Sequence, residues 1–391
     1  MHIGKPTLVD RGGQVALSAT ITSRGRSHPV WFAVADSWAR YLDADCLDPF
    51  VVGALPLALR RGEPVYSSGR LSARLLFALN TAVPALVTQT GGDFRPIQVR
   101  TAQAVDYAPP PPYSRAVATG FSGGIDSFCV LADHFGPAVL PAHRLTHLFV
   151  DHCAAPSLPG GRDLAAHLQD CAHELHLPVV AVDSNLEEIL GRSGLEQDHQ
   201  FRTVAKILVL QKFVGTYLYA AGHQYRDCFT RGAQTTLSQW DPVLLPHLST
   251  ERLRILSVGG QYSRAEKTER VAAFPPSRAH LHVCSRPAAT PNCSVCPRCA
   301  LTLLTLELLG HLQDFAGAFD LDAFAKVRSH YIVEMLRSPD PQWTEIRQLA
   351  RARGHRFPRT LRLVAALPPR IVDPFRRPPV DLATGSLATH G

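Results

Sequence analysis

From position 114 to about position 258, short apolar runs alternate with segments whose apolar residues recur at helical spacing. The predicted strands cover 116–121, 144–150, 178–182, 217–221 and 253–258, and the predicted helices cover 128–135, 162–176 and 201–213. Because strands and helices alternate, we expect an α/β fold with a parallel sheet covered on both faces. Ligands of such sheets bind beyond the carboxyl ends of the strands, which makes the loops at 122–127, 151–152, 183–185 and 222–227 candidates.

The first 108 residues form a block with a less regular pattern. Alternating apolar and polar positions predict strands at 14–23, 29–34 and 96–102, and longer apolar segments predict helices at 47–61 and 71–83. Pro56 is expected to disturb the first of these helices, and Pro84 is expected to end the second. We therefore predict a small N-terminal α+β domain over 1–108.

Proline-rich segments separate the remaining parts of the chain. Four consecutive prolines at 109–112 favour polyproline II, so 109–113 is interpreted as a semi-rigid linker. The α/β domain then covers 114–283, and a cysteine-rich module with predicted helices at 300–311, 320–336 and 342–353 covers 284–367. The tail at 368–391 is rich in Pro, Gly, Ser and Thr and is predicted to be disordered.

Composition narrows the classes of ligand and compartment. The 391 residues carry a net charge of +7, and only five of the 40 basic residues are lysines. No run of Lys and Arg is typical of a nucleic-acid-binding arm, so we expect an anionic small molecule such as ATP rather than nucleic acid. The odd count of nine cysteines, with no membrane-spanning stretch and no recognisable signal peptide, leads us to expect a cytoplasmic protein.

The segment 122–127, Ser-Gly-Gly-Ile-Asp-Ser, follows the first predicted strand of the α/β domain and opens its first helix. Glycines let the backbone approach a ligand closely, and the amide groups at a helix N-terminus attract phosphate. The segment matches neither the Gly-x-x-x-x-Gly-Lys-Ser/Thr pattern of P-loop NTPases nor the Gly-x-Gly-x-x-Gly pattern of Rossmann folds. We expect a phosphate-binding loop of another type, with an ordinary strand–turn–helix corner as the structural alternative.

Four closely spaced cysteines, Cys284, Cys293, Cys296 and Cys299, form a second motif. Four thiolates at this spacing can close a tetrahedral zinc site, with Cys284 reaching in from a neighbouring loop. Such a site is saturated by its protein ligands, so we expect the metal to have a structural role. The spacing leaves open an iron–sulfur cluster, a redox pair and unliganded thiols.

The hexapeptide resembles the pyrophosphate loop of the PP-loop ATP pyrophosphatase superfamily, whose members cleave ATP between the α and β phosphates and adenylate a substrate. The 7-cyano-7-deazaguanine synthases of this superfamily combine such a loop with a C-terminal four-cysteine zinc site of this spacing. The chain is similar to that family from about 115 to 309, with an extra N-terminal domain. The resemblance implies a parallel sheet of the adenine nucleotide alpha hydrolase (HUP) type and a C-terminal helical zinc module. Within 222–228, only Asp227 and Cys228 match the substrate loop of the synthases.

The resemblance also implies roles for individual residues. It predicts that the β and γ phosphates of ATP are cradled by Ser122, Gly123, Gly124, Asp126 and Ser127. Asp126 would also help to hold Mg²⁺, although its charge suits a helix N-terminus in any case. We take as catalytic candidates Asp126, Asp227 and Lys267, and as further nucleotide-binding candidates Asp151, Arg202 and Arg264.

Several of these candidates have an equally simple structural interpretation. Asp151 ends a predicted strand and could be a turn former. Arg202 and Lys206 lie one helical turn apart and could clamp a phosphate or form a solvated basic face. Asp227 could ligate Mg²⁺ or recognise the substrate.

Arg264 and Lys267 lie at the start of a predicted helix. Because the helix dipole disfavours cations there, their position points to an anionic partner. An ion pair with Glu266 or Glu269 is the alternative.

Taken with its resemblance, the chain is predicted to be an ATP-dependent, AMP-forming C–N ligase. It would adenylate a carboxylate, with 7-carboxy-7-deazaguanine as the leading candidate, and pass it to ammonia or to an amine. Relatives in bacterial defence operons fit a protein substrate docked by the N-terminal domain. The alternatives are a PP-loop sulfur transferase using Cys153 or Cys228, and a non-catalytic nucleotide- and zinc-binding module. The oligomeric state stays open, a homodimer included.

Overall fold

The computed structural model describes residues 1–89, 93–108, 116–150, 161–191, 195–229, 236–284, 286 and 292–367. The chain divides into two compact units, Met1–Ser263 and Arg264–Gly391. Several predictions fall outside the described residues: the linker at 109–113, the candidates Asp151 and Cys153, and the tail at 368–391 for which disorder was predicted.

The first unit contains two sheets and the helices that pack on them. Its strands are β1 (His2–Ile3), β2 (Thr7–Asp10), β3 (Gln14–Ser23), β4 (Arg26–Ala35), β5 (Val65–Ser72), β6 (Val99–Val105), β7 (Ala116–Gly120), β8 (His147–Val150), β9 (Val179–Ala181), β10 (Asp183–Ser184), β11 (Val214–Ala220) and β12 (Arg254–Val258). Its α-helices are α1 (Asp48–Arg61), α2 (Ala73–Asn80), α3 (Ala82–Val87), α4 (Ile125–His134), α5 (Gly161–Glu174), α6 (Leu186–Leu190), α7 (Leu195–Leu208) and α8 (Asp241–His247).

Strands β7, β8, β9, β11 and β12 form a parallel sheet in the order β12-β11-β7-β8-β9. This confirms the prediction of a parallel α/β sheet, and each of its five strands lies within two or three residues of its predicted bounds. The chain runs outward from β7 in one direction and then returns to β11 on the other side of β7. The carboxyl ends of β7 and β11 therefore flank a topological switch point, where ligands of such sheets bind.

The N-terminal strands form a mixed sheet in the order β10-β4-β3-β1-β5-β6, with β2 also paired to β3. A tight hairpin joins β3 to β4, and both of its turn residues, Arg24 and Gly25, have positive φ. Positive φ at both positions is the backbone of the hairpin turn that matches the twist of the strands. The predicted strand at 14–23 is confirmed, and the strand predicted at 29–34 extends in both directions.

The helix predicted at 71–83 is wrong in its bounds. Residues up to Ser72 belong to β5, and two short helices, α2 and α3, follow. Pro84 does not end a helix but lies in the first turn of α3, where an amide hydrogen would have no helical partner. Pro56 lies inside α1, where it has no amide hydrogen to donate to the preceding turn. The helix continues through it because most residues of α1 are buried, and this burial compensates for the lost hydrogen bond.

The N-terminal block and the parallel sheet share one hydrophobic core. Strand β9 of the parallel sheet ends at Ala181, and two residues later Asp183 of β10 pairs with Ala33 of β4 in the N-terminal sheet. Helix α1 packs on α7, and a Cβ on Gly53 would stand 3.4 Å from the Cβ of Ala205. Helix α7, which covers one face of the parallel sheet, therefore packs against the N-terminal block of residues 1–108.

The second unit is helical. Its helices are α9 (Arg264–Ala272), α10 (Ser277–His280), α11 (Pro297–Leu309), α12 (Leu321–Arg337), α13 (Pro341–Ala352) and α14 (Arg359–Ala366). The three helices predicted after the cysteines correspond to α11, α12 and α13, whereas α14 was not predicted. In the part of the chain that the structure describes, no helix combines the length and apolar character that a bilayer span requires.

Candidate functional site

The Ser-Gly-Gly-Ile-Asp-Ser segment leaves the carboxyl end of β7 and enters α4 within five residues. Gly123 has a φ of 75°, a conformation that a residue with a Cβ adopts only with strain. Gly124 precedes the helix, and no side chain caps α4. The first amide groups of α4 therefore face the space in front of the helix, as an anion-binding N-terminus requires.

Hydrogen bonds within the loop position its hydroxyl groups. Ser127 is buried and its Oγ donates to the carbonyl of Gly124 at 3.0 Å, while Ser122 is exposed and its Oγ lies 3.4 Å from that of Ser127. Asp126 is half-buried in the first turn of α4. The loop thus presents two hydroxyls and a carboxylate in front of one helix end.

The loop opens onto a cavity of about 290 Å³ at the carboxyl ends of the parallel strands. Its lining includes Ser122, Asp126 and Ser127 from the loop. Phe149 and Val150 of β8 add an apolar wall. The cavity lies where the strand order places the switch point, and it has polar groups at one side and apolar groups at the other, as ligand pockets commonly do.

Helix α7 supplies a second polar wall with His199, Thr203 and Lys206. These residues are spaced four and three positions apart and therefore share one face of the helix. Lys206 is only 7% exposed, although it is a lysine. Lys206 therefore brings an ammonium group to the wall of the cavity that faces the Ser-Gly-Gly-Ile-Asp-Ser loop.

Arg202 and Lys206 form neither of the two arrangements considered for them. Both are buried rather than part of a solvated face, and Arg202 does not join Lys206 at the cavity. The guanidinium of Arg202 lies 3.6 Å from the carboxylate of Asp198 and donates to the carbonyl of Gly191 at 2.9 Å. Arg202 is not among the residues that line the cavity. Of the two basic residues, Lys206 is the one placed to meet a ligand.

Two tyrosines of β11 line the cavity, and sequence analysis missed both of them together with His199. Tyr217 and Tyr219 are two residues apart in the strand, so their side chains point to the same face of the sheet. The hydroxyl of Tyr219 lies 2.7 Å from His199 Nδ1. The period-two tyrosine pair just before a candidate loop was the available signal, but aromatic residues in a strand are more often core.

The Asp227 carboxylate contacts neighbouring residues of its own loop. It accepts a hydrogen bond from the Gln224 amide at 3.0 Å and lies 4.0 Å from Arg226 Nε. It does not line the cavity. Next to it, the Cys228 side chain is buried, and burial raises the pKa of its thiol. A raised pKa disfavours the thiolate that a sulfur-transfer nucleophile needs.

Arg264 and Lys267 both belong to α9 of the second unit. At the start of α9 the backbone amide of Arg264 donates to the Glu345 carboxylate of α13 at 2.9 Å. Glu269 pairs with Arg353 rather than with either cation of the first turn, at 2.6 Å. Lys267 is buried, with 3% of its surface exposed.

The four predicted cysteine ligands converge in the second unit. Their sulfur atoms all lie within 4.8 Å of one another, with 4.0 Å between Cys284 and Cys296, 3.9 Å between Cys293 and Cys299, and 3.4 Å between Cys296 and Cys299. Zinc–sulfur bonds of 2.3 Å in a tetrahedron would place the sulfurs about 3.8 Å apart. The group therefore fits a metal ion such as zinc.

The backbone around the cysteines is shaped to aim the sulfurs inward. The side-chain oxygen of Asn292 accepts hydrogen bonds from the backbone amides of Val283 and Cys284, at 2.9 and 3.2 Å. These bonds hold the segment that carries Cys284 against the segment that carries the other three cysteines. Ser294 has a φ of 60°, and Cys296 caps α11 directly before Pro297. Cys296 and Cys299 therefore lie at the N-terminus of α11, where the helix dipole favours negative charge, whereas hydrogen bonding among the thiols raises the pKa of Cys284 and of Cys299. Hydrogen bonding from Cys284 lowers the pKa of Cys293 to about 6.

Comparison of the chain with protein-family models, with curated proteins and with solved structures finds no match. What can be said of its function therefore depends on the loop, the cavity and the cysteine group themselves.

Proposed function

We propose that this protein is an ATP-dependent ligase that adenylates a carboxylate and releases pyrophosphate. The observation that carries the proposal is the position of the Ser-Gly-Gly-Ile-Asp-Ser loop, which opens α4 at the switch point and borders a cavity that also contains Lys206. Loop hydroxyls, helix amides and a buried cation together suit a polyphosphate. The resemblance of the loop to PP-loop enzymes supports ATP as the source of that polyphosphate.

Adenylation is the chemistry that makes a carboxylate reactive. A free carboxylate is a poor electrophile because its leaving group would be oxide. Attack of a carboxylate oxygen on the α phosphorus of ATP forms an acyl-adenylate and breaks the bond to pyrophosphate. Ser122, Ser127 and Lys206 would hold the departing phosphates and stabilise the charge that develops on them. The Asp126 carboxylate would hold Mg²⁺, which supplies charge neutralisation when bound.

The identity of the acid and of the acceptor is proposed from the resemblance alone. The acid would be 7-carboxy-7-deazaguanine, and an amine nitrogen would displace AMP from its adenylate. Ammonia would give an amide, which a second ATP could dehydrate to a nitrile, whereas the amine of a protein would give a conjugate. Zinc at the four cysteines would be structural, since four protein ligands leave no open position.

The test is ATP turnover by the full chain with 7-carboxy-7-deazaguanine, with and without ammonium, followed by mass spectrometry. AMP together with a nitrile or an amide supports the complete proposal. AMP that requires the acid but leaves no small-molecule product supports adenylation with a larger amine as the acceptor. Absence of AMP in all mixtures, from a chain that is folded, contradicts the proposal.

A matched pair of variants ties turnover to the loop. Ser127→Ala removes a buried hydroxyl of the loop and is expected to lower AMP formation roughly 10- to 100-fold, the loss typical of one hydrogen bond to a charged group. Ser27→Ala removes an exposed hydroxyl from the N-terminal hairpin and serves as the control. Equal AMP formation by the two variants would show that turnover does not depend on this loop.

A further inference from the structure

Three consecutive residues of α7 are each held by a different element of the first unit. Asp198 accepts two hydrogen bonds from Arg60 of α1, at 2.6 and 2.9 Å. His199 Nδ1 lies 2.7 Å from the hydroxyl of Tyr219 on β11. Gln200 Nε2 donates to the carboxylate of Asp241 on α8 at 2.9 Å. The backbone on both sides of His199 is therefore anchored, and the ring itself is tied to the sheet.

The two anchors beside His199 are buried. Asp198 is 0% exposed and Asp241 is 2% exposed. Releasing either contact would leave a buried polar group without its partner, which is strongly disfavoured. The α-carbon of His199 is thus held more firmly than that of an ordinary helix-surface residue, although its side chain is exposed.

The Tyr219 hydroxyl decides which ring nitrogen of His199 carries the proton. Tyr219 is buried, and burial raises the pKa of its phenol well above the usual range, so the hydroxyl keeps its proton. Among the described residues, its hydrogen-bond partner is His199 Nδ1. Because a buried O–H group needs an acceptor, the hydroxyl donates to Nδ1. In the neutral ring, the proton then resides on Nε2.

His199 lines the same cavity as the phosphate-type loop and Lys206. Lys206 is seven residues further along α7, which places it about two turns away on the same face. An N–H group at one end of this face and an ammonium group at the other are both donors to anionic oxygen.

We infer that His199 contacts an anionic oxygen of the ligand through its Nε2–H group, and that Tyr219 is the positioning residue that maintains this tautomer. The inference deepens the proposed function and rests on it only for the identity of the ligand. The anionic oxygen belongs either to the nucleotide or to the acid, and the two sources can be distinguished by experiment.

The tautomer is tested by long-range ¹H–¹⁵N NMR of the full chain, in which the signals lost in His199→Gln assign the ring of His199. The wild type is expected to show the proton on Nε2, and Tyr219→Phe is expected to raise the population with the proton on Nδ1. An unchanged tautomer in Tyr219→Phe overturns the positioning role. His199 signals that move with neither a non-hydrolysable ATP analogue in the presence of Mg²⁺ nor 7-carboxy-7-deazaguanine overturn the ligand contact.

Two conservative variants test the donor itself. The amide nitrogen of Gln reaches about as far as Nε2, whereas that of Asn reaches only as far as Nδ1. His199→Gln is expected to bind and turn over within a few-fold of the wild type, and His199→Asn to lose roughly 10- to 100-fold. His173→Gln, an exposed histidine of α5, is the control and should change nothing.

The measured quantities separate the two sources of the oxygen. Weaker binding of the ATP analogue by His199→Asn assigns the contact to the nucleotide, and a raised KM for the acid with unchanged analogue binding assigns it to the carboxylate. Wild-type behaviour of His199→Asn in both assays overturns the inference. A wild-type chain that shows the His199 effects on analogue binding but forms no AMP would contradict the proposed function and leave the inference standing.

Discussion

The hydroxyl oxygen of Tyr217 lies 2.8 Å from the position that a Cβ would occupy on Gly120. Gly120 is the last residue of β7 and Tyr217 lies on the neighbouring β11, and both line the cavity beside the phosphate-type loop. Tyr217 is 2% exposed, so its ring has little room to move. The missing side chain at position 120 is what lets an aromatic wall stand at the end of the central strand.

We predict that Gly120→Ala destabilises the protein by about 1–3 kcal/mol, the cost typical of an extra methyl group in a tightly packed site. The cost should fall in the Tyr217→Phe background, because the next atom of the ring lies 3.9 Å from the new Cβ. Urea unfolding of the two single variants and the double variant measures the coupling. A cost that is the same in both backgrounds would show that the hydroxyl is not the obstacle.

Lys206→Met is predicted to weaken binding of a non-hydrolysable ATP analogue roughly 10- to 100-fold, because a buried cation is lost from the cavity. Isothermal titration calorimetry measures the affinity, and thermal unfolding shows that the variant is folded. Lys5→Met removes an exposed lysine and provides the control for the change in net charge. Equal affinities of the two variants would exclude Lys206 from the nucleotide site.

Asp241 should make the stability depend on pH. Burial raises the pKa of its carboxyl from 3.8 to about 7. The folded state therefore binds the proton more tightly than the unfolded state. Protonation of Asp241 therefore contributes to the free energy of unfolding. This stabilisation is fully present below about pH 4, is lost as the pH rises to about 7, and does not change further above that.

Asp241→Asn keeps an acceptor for Gln200 and removes the titration. Relative to the wild type, the variant should gain about 2–4 kcal/mol of unfolding free energy between pH 4 and pH 8. Urea unfolding at several pH values measures the difference, and Asp106→Asn, an exposed carboxylate, is the control. A difference between the wild type and Asp241→Asn that does not vary with pH would mean that Asp241 titrates normally.

The purified chain is predicted to contain about one zinc ion held by the four cysteines. Cys299→Ser should lose the metal and speed up hydrogen exchange in α11 and α12, whereas Cys171→Ala, which removes a buried thiol of the first unit, should keep it. Elemental analysis gives the metal content. Iron with visible absorption would assign the site to an iron–sulfur cluster instead.

Much of the fold could be predicted because it is written in local patterns. The strands and helices around the phosphate-type loop follow from apolar runs and helical spacing, and the four cysteines follow from their spacing alone. Strand β5 was missed because Val65–Ser72 contains two serines and a glycine in its middle. It is a strand because β1 and β6 pair with it on either side, which no local pattern records.

The sequence by itself determined the strands and helices of the α/β segment, the loop that opens α4 and the spacing of the four cysteines, because each follows from a pattern within a short stretch of the chain. Only the tertiary structure decided that Lys206 rather than Arg202 faces the cavity, and that His199 lies there with Tyr219 behind it. That choice depends on the rotation of α7, which Arg60 sets through Asp198 from 138 residues away. Contacts between residues so distant in sequence exist only once the chain has folded, and so the periodicity of a single helix cannot reveal them.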